Sequence, residues 1–192
     1  MGNNEYAWYL AAMRRFDDAI AEAQRALRLD PFSILTNRTL AIVYSLVGKY
    51  DEAIEQYQKI LELGLDEKVA YNGLSIAYWQ MGNYNEAVKA YQKLMALWNS
   101  TPKHIESLGQ AYQESGPRGY CLWFLGRTKD KYDEQPLWTA KIYAQLGEKE
   151  KALYYVEMAY QKNEIKLYLL NADPGWEPIR NEPRFFRILL RR

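Results

Sequence analysis

The chain has 192 residues, 48% hydrophobic and 15% aromatic, enough apolar side chain to close a core. Its 25 basic and 24 acidic residues leave a net charge of +1, which argues against a partner as strongly charged as duplex DNA. A single cysteine excludes an internal disulfide, and no apolar run is long enough to span a membrane.

In chain order, a first helical hairpin is predicted from about Glu5 to Leu29, with Pro31 just beyond it, a residue that cannot continue a helix. The chain opens inside the first of these helices, which suggests a piece excised from a longer protein. The second and third hairpins run from Ile34 to Ser100 and repeat each other. Leu40 and Leu74 are 34 residues apart, and so are Tyr44 and Tyr78, Gly48 and Gly82, Tyr50 and Tyr84, Ala53 and Ala87, and Tyr57 and Tyr91. Leu40, Ala41 and Tyr44 share one helix face. Gly48 supplies a left-handed stop, and Asp51 is expected as the N-cap of the next helix. Phe16 and Ala19 stand one period before Tyr50 and Ala53, so the first hairpin keeps the same register.

The third hairpin ends at Asn99-Ser100-Thr101-Pro102, a stop followed by a fresh helix start. In the fourth, Leu108, Tyr112, Gly116 and Cys121 continue the period, but Pro117-Arg118-Gly119 replaces the acidic entry to its second helix. That helix, through Cys121-Leu122-Trp123-Phe124-Leu125, is apolar all round and is expected to be covered on more than one face. The fifth opens at Pro136 and carries Ala152, only 31 residues after Cys121. After Gln161 the period fails. Asn181-Glu182-Pro183 then starts a last helix, whose Phe185, Phe186, Leu189 and Leu190 are read as one apolar face closing the stack.

A 34-residue period with an aromatic, a glycine and a small residue at fixed offsets resembles the tetratricopeptide repeat (TPR). The resemblance covers nearly the whole chain. It implies an all-α fold: a right-handed α-α superhelix, or TPR solenoid, of about five helix pairs with a C-terminal capping helix. The repeats fall at about 1–33, 34–67, 68–101, 102–132 and 133–166, with the cap at 167–192, as a single domain. It also implies a module that binds another protein and catalyses nothing. The segment from Leu146 onward looks like the end of TPR regions in bacterial multidomain signalling proteins, among them transcriptional regulators, Ser/Thr kinases and nucleotide cyclases. Asp173-Pro174, Trp176, Pro178-Ile179-Arg180 and Glu182-Pro183-Arg184-Phe185 carry that likeness, with departures at Ile179 and Glu182. It implies a bacterial regulatory setting with an effector domain upstream.

Little in the sequence offers chemistry. No glycine-rich phosphate loop and no HExxH motif occurs. His104 is the only histidine and has no Cys or carboxylate spacing for a metal, so it reads as an ordinary exposed residue near a helix start. Cys121 takes a small-residue slot and reads as a buried small hydrophobe. The repeated tyrosines read as packing between helices rather than a platform for bases. The basic end, Arg184, Arg187, Arg191 and Arg192, reads as a solvated helix C-terminus. No catalytic residue, metal or cofactor is expected, and neither nucleic acid nor membrane is expected as a partner. The single cysteine and the absence of a leader point to the cytoplasm.

In TPR stacks the first helix of each pair lines a concave face, and the resemblance carries those positions onto this chain. They are Asn4, Trp8, Ala11 and Ala12; Leu35, Arg38, Ile42, Ser45 and Leu46; Val69, Asn72, Ile76, Trp79 and Gln80; and Lys103, Glu106, Gln110, Gln113 and Glu114. Some TPR proteins clamp the C-terminal carboxylate of a heat-shock chaperone from such positions. Arg38 and Lys103 could serve here, but Ile42, Gly73 and Ser107 replace the Asn, Asn and Arg expected, so the clamp is broken. The groove that remains is apolar through Trp8, Leu35, Ile42, Ile76 and Trp79 and polar through Arg38, Asn72, Gln80, Lys103 and Gln110. It suits a peptide or helix with two or three apolar side chains. The alternative is self-association, the stack acting as a dimerisation module for an upstream output domain.

Overall fold

A computed structural model describes residues 3–128, 134–162, 170 and 172–190. Among these the fold is all-α, with no strand, and neighbouring helices pack in pairs. Two compact units divide the chain at residues 109 and 110. The first contains α1 (Asn3–Ala12), α2 (Phe16–Leu29), α3 (Ile34–Leu46), α4 (Tyr50–Glu62), α5 (Glu67–Met81) and α6 (Tyr84–Leu97), then the start of α7 (Pro102–Thr128). The second contains the rest of α7, then α8 (Pro136–Gln145), α9 (Lys149–Gln161), a 3-10 helix (Pro174–Ile179) and α10 (Pro183–Leu190). The expected repeat boundaries near 132 and 166, and the start of the cap at 167, lie outside the described residues.

The turns inside the pairs are built alike. At the end of α3, Gly48 N–H donates to Ser45 O and Lys49 N–H to Tyr44 O, at 3.3 and 2.9 Å. Gly82 with Asn83 and Gly147 with Glu148 repeat the pattern. The first residue of each motif needs positive φ, which is where a glycine is cheapest (+80° at Gly48, +86° at Gly82). In the first pair the same place is held by Arg14 at φ +58°, a conformation uncommon for a residue with a Cβ, and its guanidinium lies 5.7 Å from the Phe16 ring. These turns overturn the N-cap expected of Asp51. Helix α4 begins one residue earlier, at Tyr50, and its cap position is Lys49, with no side-chain hydrogen bond. Asp51 sits within the first turn, where its charge faces the positive end of the helix.

In the first unit, α3 packs against α1, α2, α4 and α5. Ala7, Leu10, Ala11, Ala19, Ala23, Leu40 and Val43 form one core, and Ala41, Ala53, Tyr57, Ile60, Ala70, Leu74 and Ala77 form part of the next. Small residues at these places let helices approach closely. Gly73 is the extreme case: a Cβ there would come within 2.1 Å of the Tyr57 ring. Between the first two pairs the connector is held by polar side chains. The Asn37 amide donates to Pro31 O and Ser33 O at 2.8 and 2.9 Å, and the Gln56 amide donates to Asn37 Oδ1 at 2.7 Å.

In the second unit, α7 bends at Gly116, the one non-helical residue inside it, so the fourth pair turns through a single residue. Pro117 follows at the start of the second limb, where a missing N–H costs nothing. Gly119 then lets that limb lie against the backbone of Ala111. On the limb, Tyr120, Cys121, Phe124 and Leu125 are buried, and Phe124 meets Trp123 and Trp138 edge-on. Leu122 remains exposed, so the covering is incomplete.

The tail motif is a staple. Asp173 accepts from Gly175 N–H at 2.8 Å, pairs with Lys141, and its carbonyl accepts from Arg180 at 2.8 Å. Trp176 is fully buried, packed with Phe185, Leu153, Val156, Leu170 and Ile179. Arg184 makes a bidentate contact with Glu157 at 3.0 and 2.8 Å and reaches Glu150 at 2.7 Å, while Lys149 meets Glu182 at 2.7 Å. Two expectations change here. Arg184 lies in the first turn of α10 and ties it to α9, rather than decorating a helix C-terminus. The buried face of α10 is Phe185, Ile188 and, in part, Leu189. Phe186 and Leu190 are 56% and 65% exposed, because a short helix anchored through Phe185 turns the neighbouring stripe outward.

Candidate functional site

The expected groove residues of the first unit lie on helices that are successive neighbours, α1 beside α3 and α3 beside α5. Leu35, Arg38 and Ile42 fall at i, i+3 and i+7 on α3, and Asn72, Ile76, Trp79 and Gln80 at i, i+4, i+7 and i+8 on α5, so each set shares a helix face. Leu35 and Ile76 are each 48% exposed. Arg38, Asn72 and Lys103 are exposed, whereas Trp8, Ile42, Trp79 and Gln80 are half-buried. Gln110 and, beyond it, Gln113 and Glu114 belong to the second unit and are exposed there.

Three expected lining positions are corrected. Ala11, Ala12 and Ser45 are buried, because the tight approach of helices takes small side chains into the core, and Ser45 spends its hydroxyl on Ala41 O at 3.1 Å. Trp8 is half spent in the same way, packed on the core of the first two pairs with its indole N–H buried and unpartnered. Trp79 stacks edge-on to Tyr84 at 4.7 Å, which fixes its ring at the turn into α6. Of the apolar groove positions, Leu35 and Ile76 are therefore the most exposed, and Ile42 and Trp79 are half-buried. Arg38 is close enough to Tyr57 to oppose, in part, the burial that pushes that hydroxyl up to about 12.

No group of three or more potential metal ligands occurs among the described residues. His104 is half-buried rather than exposed, in the first turn of α7, where its backbone N–H donates to Thr101 O at 2.9 Å. No described helix is long and apolar enough to cross a membrane.

Cys121 is a buried small hydrophobe, as its slot predicts; burial pushes its thiol up to about 12 against a smaller opposite pull from Arg118. Native protein at about pH 8 should therefore react with a disulfide reagent only after denaturant is added; stoichiometric reaction of the native chain within minutes would contradict this burial. The sign of the linkage follows. Both Cys121 and Tyr57 hold their protons tighter in the fold, so stability falls as pH rises from the ordinary thiol value of 9.0 towards about 12. Cys121→Ala, which restores the residue found in the same slot at Ala53, Ala87 and Ala152, should flatten that fall.

Comparison with known proteins adds one positive finding. The family model for the tetratricopeptide repeat matches residues 32–100, the span that holds α3 to α6 and all ten of the expected groove positions on α3 and α5. No curated protein matches the chain.

Proposed function

We propose, from the premise that residues 32–100 belong to the tetratricopeptide repeat family, that this chain is a non-catalytic module that holds a partner protein along the first helices of its pairs. Tetratricopeptide repeats mediate contacts between proteins; the groove is this chain's own version of that role. The observation that carries the reading is the pair Leu35 and Ile76. Each is 48% exposed on a helix whose neighbours pack side by side, although core-sized aliphatics are costly to leave in water. Ile42 and Trp79 extend the apolar strip, and Arg38, Asn72, Gln80 and Lys103, all in the first unit, give polar edges. The ligand is a peptide or helix that inserts two or three apolar side chains, and its hot spots are aromatic or aliphatic anchors. The chain works in the cytoplasm of a bacterium, within a larger regulatory protein, a setting supported by the likeness of its tail motif.

The test is Ile76→Asp together with Trp79→Asp, with far-UV circular dichroism as the folding control. Two buried carboxylates in such an interface should weaken partner binding by at least ~100-fold, or about 3 kcal/mol. A folded double variant that keeps its partners at native strength would exclude the groove.

A further inference from the structure

Charge is divided unevenly among the helices of the first unit. Arg25 on α2 and Lys89 on α6 each pair with a carboxylate three residues away, and Arg15 and Lys49, at the starts of α2 and α4, do the same. Arg38 has no such neighbour, because α3 contains neither aspartate nor glutamate. Lys68 on α5 stands four residues before Asn72 and so shares its face. Arg38 and Lys68 are both exposed, and neither has an ion pair among the described residues.

The carboxylates of the neighbouring first helices do not balance them. Glu67, the only one on α5, lies nine residues before Ile76 and hence on the opposite side of the helix, where it borders a cleft with Tyr71, Lys89 and Lys93. Glu5, the only one on α1, stands 34 residues before Thr39 and 68 before Gly73. That slot faces the preceding pair, since Thr39 is buried and Gly73 packs on Tyr57 of α4. On α7, Glu106 stands three residues from Lys103, so charge there is even. Across α3 and α5 the groove face therefore holds two cations, no carboxylate and the exposed aliphatics Leu35 and Ile76.

We propose that this groove selects an acidic partner segment, which seats aliphatic side chains on Leu35 and Ile76 and sets carboxylates beside Arg38 and Lys68. The proposal rests on the groove reading and adds the partner's charge to it. Arg38 follows Leu35 by three residues, and Ile76 follows Lys68 by eight, so each aliphatic shares a helix face with a cation one or two turns away. The segment needs its carboxylates at the same spacing from its apolar anchors. Such cations speed the approach of an acidic segment and penalise a basic one, which sets specificity more than affinity.

Fluorescence anisotropy on the full chain, with two labelled peptides of about 15 residues, tests this. Both peptides carry leucines at helical spacing; their polar places are glutamates in one and lysines in the other. At about 0.15 M salt the chain should bind the glutamate peptide ~5-fold more tightly, and about 1 M salt should bring the two affinities together. Arg38→Glu with Lys68→Glu should reverse the order at unchanged circular dichroism, because both side chains are exposed. Equal affinities for the native chain, or a glutamate preference that survives the charge reversal, overturn the proposal. Ile76→Asp with Trp79→Asp should release both peptides. If it does so while the native chain shows no charge preference, the groove stands and this inference falls. A chain that takes up neither peptide at about 1 mM, as when a second copy fills the groove, overturns both readings.

Discussion

Trp176→Ala is expected to cost the second unit about 4 kcal/mol, from lost burial and the cavity left behind. Its ring is fully buried among Ala140, Leu153, Val156, Ile179 and Phe185, and the Lys141 ammonium lies 5.5 Å from it. No neighbour can swing in to fill the space, because Phe185 is already packed and the 3-10 helix is pinned by Asp173 and Arg180. With a denaturant slope of about 2 kcal/mol/M for a unit of this size, the urea midpoint should fall by about 2 M. A fall under about 0.5 M would mean that the tail is ornament rather than core. The motif Asp-Pro-Gly-Trp would then need another explanation.

Gly119→Ala is the second large effect, and its sign separates two physical arguments. Helix propensity alone predicts a gain of about 1 kcal/mol, since alanine is the better helix former. The packing predicts a loss. A Cβ at Gly119 would stand 1.8 Å from the Ala111 carbonyl oxygen and 2.7 Å from its carbon. Backbone cannot rotate away as a long side chain can, so the limb after Gly116 must shift as a whole. We expect a net destabilisation of about 3 kcal/mol, at the upper end for overpacking. The check is thermal or urea unfolding beside Gly126→Ala, a site with no atom within 4 Å of the added Cβ, which should be neutral or mildly stabilising.

These two residues also mark the limit of what the sequence reveals. The 34-residue period was legible because the turns depend on backbone geometry that glycine or a small set of residues supplies, and the structure repeats that turn at Gly48, Gly82 and Gly147. The same turn is why Asp51 misled. A chain leaving a left-handed residue enters the next helix through Lys49, Asn83 or Glu148 with φ near −85° and ψ near 70°, and none of these uses a side-chain cap. Periodicity places Phe186 and Leu190 on an apolar stripe but cannot say which of two adjacent stripes a helix buries; contacts through Phe185 and Arg184 decide that. In the candidate groove, the helix faces were readable from spacing, while the loss of Ala11, Ala12 and Ser45 to the core depended on how closely α1, α3 and α5 approach.

The claim on which the account rests is that partners are held along Leu35 and Ile76. A photoreactive benzophenone residue placed at either position, in protein incubated with lysate of the source cells, tests it most directly. The account predicts one and the same partner protein crosslinked from both positions, and nothing from a control at exposed Phe186 on α10. Crosslinks that arise equally from Phe186, or a partner that is retained but never captured from 35 or 76, would contradict it.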